Sequence, residues 1–141
     1  MSRIINYENA GKDRTRLSKT IVLALRELLR QREPDATTKD LVAYMVLALD
    51  AISTTVDLSV AAWEKRGYWI KADRFRLDWD WTGQLGIQLR AALLTEDWGE
   101  VACLTAKIGQ KLGKVKIAEK NRLGQPWVGA WESLIKTINQ K

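Results

Sequence analysis

Residues 41–52 read LVAYMVLALDAI, and Asp50 is the one charged side chain among these twelve. A helix that is apolar nearly all the way round has to be covered on several sides, so this stretch predicts the central helix of a helical protein. Thr37 or Thr38 can cap its first turn. It is predicted to run to Arg66, with Gly67 in the stop position. Its polar residues, Asp50, Ser53, Thr54, Asp57 and Glu64, fall in one narrow stripe. The unbroken apolar run, Leu41–Leu49, is far shorter than the roughly 20 residues that span a bilayer.

Toward the N-terminus, Leu17, Ile21, Ala24, Leu25, Leu28 and Leu29 recur at helical spacing and predict a first helix over 13–32, ended by Pro34. Lys12, Arg16, Lys19, Arg26 and Arg30 lie on its opposite side, which makes a basic outer face. Residues 1–11 carry Ile4, Ile5 and Tyr7 followed by Asn9 and Gly11, and read as an extended arm with a turn at its end.

Toward the C-terminus the period changes. In residues 68–81, YWIKADRFRLDWDW, the side chains Phe75, Leu77, Trp79 and Trp81 alternate with Arg74, Arg76, Asp78 and Asp80, as they would in a strand. A lone strand is unstable, and its available partner is Ile4–Tyr7. A short hairpin-like pairing and an irregular helical connection are both open, and the helical surroundings favour the second. A third helix is expected over 82–94. Asp97 and Glu100 form a capping-box pattern that opens a fourth helix running to Val115. In it, Ala102, Ala106, Gly109 and Gly113 make a ridge of small residues that points to a close helix crossing, or else to a fourth helix that ends before Val115. Residues 116–125 read as a basic linker, and Pro126 suits the first turn of a terminal helix over 126–139. The expected fold is all-α: four main helices in a bundle and a docked C-terminal helix, organised as one domain.

The chain has 141 residues, a net charge of +6 and no histidine. Residues 1–33 hold eight basic and four acidic side chains, residues 99–141 hold eight and three, and the middle is mildly acidic. Without histidine there is no His-based triad and almost no common zinc or di-iron site, and no cofactor is expected. Asp50, Asp57 and Glu64 recur every seven residues, about 10.5 Å apart along a helix, too far to share one ion. The single cysteine, Cys103, lies near Lys107 but has no histidine to serve as its base. No Walker, Gly-x-Gly-x-x-Gly or nucleophile-elbow motif is present. A non-enzymatic protein is therefore the expectation. The N-terminus has no apolar signal core and the lone thiol suits a reducing compartment, so a cytoplasmic protein that stays out of membranes is expected.

Seven tryptophans are the strongest compositional signal, and six of the eleven aromatics fall between Trp63 and Trp81. Trp69, Arg74, Arg76, Trp79 and Trp81, with the lysine stripe Lys107, Lys111 and Lys114, form the candidate binding set. Three functions fit. One is an interaction module that docks a protein partner, or its own copy, through tryptophan-rich apolar surface. The second is a nucleic-acid binder in which aromatics stack on bases and cations meet phosphates. The third is a small-ligand pocket inside the bundle with a buried Asp50 as its polar anchor.

Overall fold

The computed structural model describes residues 7–139, and among them every regular element is a helix. Helix α1 (Tyr7–Leu28) leads into α2 (Ala36–Lys65), α3 (Trp69–Leu94), α4 (Trp98–Lys111) and α5 (Ala130–Asn139). The all-α bundle with a docked terminal helix is the fold observed. The expected extended arm is corrected in part: Tyr7–Gly11 already belong to α1, and residues 1–6 lie outside the described residues. Helix α1 also stops four residues earlier than expected, tightening through Arg30 N–H to Glu27 C=O and Gln31 N–H to Leu28 C=O before Pro34.

Helix α2 is the core element. Its Leu41, Met45, Leu49 and Ile52 are fully buried, as are Ile21 of α1, Leu89 and Leu93 of α3, Leu104 and Ile108 of α4, and Leu134 of α5. Helices α1, α3 and α5 pack directly on α2, while α4 packs on α3 and touches the edge of α1. Taken over its whole length, α2 is long and apolar enough to cross a bilayer. In the fold much of that apolar surface is instead covered by its neighbour helices.

Local chemistry sets the ends of each helix. The cap of α2 is Asp35 rather than Thr37 or Thr38: its carboxylate accepts from Thr38 N–H at 2.9 Å, and that bond holds its pKa below the usual carboxylate value. At the other end Tyr68 N–H reaches Trp63 C=O at 2.9 Å and Gly67 N–H reaches Glu64 C=O at 3.0 Å, with Gly67 at φ +83°. This is the Schellman closure, which needs a left-handed residue where glycine stands. A second such closure follows α3, through Asp97 N–H to Ala92 C=O at 2.9 Å, and there Glu96 occupies the left-handed position. Asp97 then caps α4 by accepting from Glu100 N–H.

Helix α5 starts at Ala130, not at Pro126, because Gly129 sits at φ +81° and breaks the helical path. Its first turn is capped from another helix: Asp40 of α2 accepts from Trp131 N–H at 2.9 Å and Gly129 N–H at 3.4 Å. Replacing Asp40 with alanine should cost about 1 kcal/mol, the usual value of a lost cap. It should also speed amide exchange at Trp131; unchanged exchange there would show that the cap does not hold α5.

Candidate interaction surface

The helical reading of segment 68–81 holds and the strand reading does not, but the segment is regular helix rather than an irregular connection. Residues from Trp69 onward are the first half of a continuous 26-residue helix, α3. In a helix, alternating residues point to opposite sides, so the pattern that resembles a strand divides the aromatics between two environments. Phe75 and Trp79, one turn apart, turn inward, while Leu77 turns outward and Trp81 is half-buried.

The inward set forms a ladder. Trp63 meets Phe75 edge-on, with centroids 4.8 Å apart. Phe75 is followed by Trp79 at 6.2 Å, and Trp79 stacks with Trp81 at 6.3 Å. Arg14 of α1 lies over Phe75 at 4.6 Å and Trp79 at 5.7 Å. Its guanidinium donates to Thr55 Oγ1 at 3.2 Å and Ser59 Oγ at 3.4 Å on α2. Desolvation lowers its pKa from the free arginine value. Arg14 thus ties three helices together. Sequence reading missed it, although its position inside the apolar arc of α1, between the directions of Ile21 and Leu25 and away from the basic outer face, is the signal that could have found it. Lys71 covers Trp63 at 4.5 Å.

The candidate cations are therefore dispersed. Arg76 is held by Glu64 at 3.1 Å and Asp73 at 2.8 Å. Arg74 is exposed on the outer side of α3. Lys107 and Lys111 are exposed on α4, and Lys114 lies beyond its end, since α4 closes at Lys111 rather than Val115. Among the described residues, the cations on the aromatic ladder are Arg14 and Lys71, not the lysines of α4.

Asp50 is corrected outright: it is exposed. It borders a crevice of about 70 Å³ with Thr82, Gly83, Gly86, Arg90 and Thr137. The apolar run around it is real, but the narrow polar stripe of α2 turns Asp50 toward solvent. No group of three His, Cys, Asp or Glu able to hold a metal occurs among the described residues.

The small-residue ridge is also placed differently from expectation. The close crossing is between α2 and α3, where a Cβ on Gly86 would stand 3.3 Å from Leu49 Cβ. Ala102, Ala106 and Gly109 instead line an open groove of about 480 Å³ between α4 and the end of α1, walled by Leu25, Leu28 and Leu29. Gly113 falls outside α4.

The outer side of α3 stands uncovered. Trp69 is 59% exposed, Ile70 74% and Leu77 76%. The exposure follows the helical face and not the length of α4, since Ile87, in the second half of α3, is exposed as well. Ile70 and Leu77 are two turns apart on one face, with Arg74 between them and Trp81 continuing the line at heptad spacing. No protein-family model, curated protein or solved structure matches this chain.

Proposed function

We propose that the protein is a non-enzymatic interaction module that docks a second protein chain along the outer face of α3, and that a second copy of itself is the partner this face suits best. The supporting observation is the exposed pair Ile70 and Leu77 on one helical line. Solvent-facing apolar residues at seven-residue spacing are what a helix presents to another helix. Charge favours a copy: Arg74 and Asp78 are exposed, one turn apart on the same flank, and neither is ion-paired within the described residues. An antiparallel second α3 sets each Arg74 against the other's Asp78, which fixes register as well as adding attraction. The face is small, so the association belongs to the weak class that buries less than about 1,200 Å².

Sedimentation equilibrium tests this. The wild-type chain should dimerise reversibly, and Leu77→Asp should weaken the dimer at least tenfold. Because Leu77 is exposed, the variant should unfold within about 0.5 kcal/mol of wild type. A strictly monomeric wild-type chain at high concentration would remove the self-association reading.

A further inference from the structure

We infer that the outer face of α1 and the segment 116–125 together form a site for the phosphate backbone of double-stranded nucleic acid. The two most basic parts of the chain are far apart in sequence, and the fold brings them together. Leu123, from the segment carrying Lys120 and Arg122, lines a surface groove with Lys12, Arg16 and Lys19 of α1. Leu123 thus sets segment 116–125 beside the cationic face of α1. Lys12 and Lys19 are exposed and neither is ion-paired within the described residues. Among the described residues Asp13, which is buried, stands 3.8 Å from Arg16, and Glu119 is the one acidic residue of segment 116–125. Lys12, Arg16 and Lys19 recur at the spacing of one helical face, about 10.5 Å from first to last. A duplex offers one negative charge about every 1.7 Å along its axis, so such a row can neutralise several phosphates and release their counterions.

The groove has no aromatic lining residue, so nothing in it stacks on an unpaired base. Trp79 and Trp81 are half-buried in the ladder with Arg14, and the exposed Trp69 is not among the residues that line this groove. Backbone contact without base readout gives sequence-independent binding to a duplex, and its affinity must fall steeply with salt.

The test is fluorescence anisotropy of a labelled random 24-base-pair duplex between 50 and 200 mM salt. The wild-type chain should bind at low salt and lose affinity at least tenfold across that range. The triple variant Lys12→Ala, Lys19→Ala, Arg122→Ala should bind at least tenfold more weakly at 50 mM. Its log–log salt slope should be shallower by about 3, one for each phosphate contact removed. All three positions are exposed, so its circular-dichroism melt should match wild type. Leu77→Asp should bind the duplex like wild type, which separates this site from the α3 face. The inference is overturned if the duplex does not bind at 50 mM salt, or if the triple variant binds as wild type does. It is equally overturned if phosphatidylserine vesicles bind while the duplex does not.

Discussion

Replacing Leu49 by alanine should destabilise the protein by about 2–5 kcal/mol, the range for a large-to-small change at a fully buried site. Leu49 lies at a close crossing of α2 and α3, with Gly86 facing it: a Cβ there would stand 3.3 Å from Leu49 Cβ. Leu49 is fully buried and Gly86 has no side chain to fill the vacated volume, so the cost belongs in the upper part of that range. Urea unfolding followed by tryptophan fluorescence measures it directly. A loss below about 1 kcal/mol would contradict the place of α2 as the central element. Proteins of this size have only about 5–15 kcal/mol of net stability, so the change should also lower the melting temperature markedly.

The second large effect is expected at Arg14. Arg14→Ala removes a cation from two aromatic rings and deprives Thr55 and Ser59 of their donor. Cation–π contacts that are partly shielded from water, together with charge-assisted hydrogen bonds, make a loss of about 2–4 kcal/mol the expected result. Arg14→Lys should recover part of it, because an ammonium keeps the charge but not the planar fork that spans rings and hydroxyls together. The tryptophan emission of the alanine variant should shift to the red as the ladder loosens. A stability change under 0.5 kcal/mol, on the order of an ordinary surface substitution, would show that Arg14 is not the clamp between α1, α2 and α3.

These two sites show different degrees of legibility. Leu49 lies in the densest apolar run of the chain, and composition alone marks it as core. Arg14 is marked locally only as a cation on the apolar side of α1, and nothing local says which distant rings and hydroxyls it meets. The same difference runs through the candidate binding set. Trp69 and Arg74 are exposed as a binding role requires, whereas Trp79 and Trp81 are drawn into the ladder and Arg76 into its ion pairs. Their sequence neighbourhood is the same; only the helical turn on which each falls separates them.

Several helix positions follow from local rules alone. Apolar periodicity marked α1 and α2, Gly67 marked the stop of α2, and Asp97 marked the start of α4. Each depends on interactions within one or two turns, so a short window of residues carries all the information. Tertiary structure decided the rest. It made 69–81 helical despite alternating side chains, because Phe75 and Trp79 gain Trp63 and Arg14 as neighbours only when they share a helical face. It exposed Asp50, since rotation of α2 against α1, α3 and α5 selects which stripe meets water. It moved the close crossing from α4 to Gly86, and supplied the cap of α5 from Asp40, 91 positions before Trp131. Contacts between residues so far apart have no local signature, because the free energy that fixes them arises only when separate helices bury one another's surface.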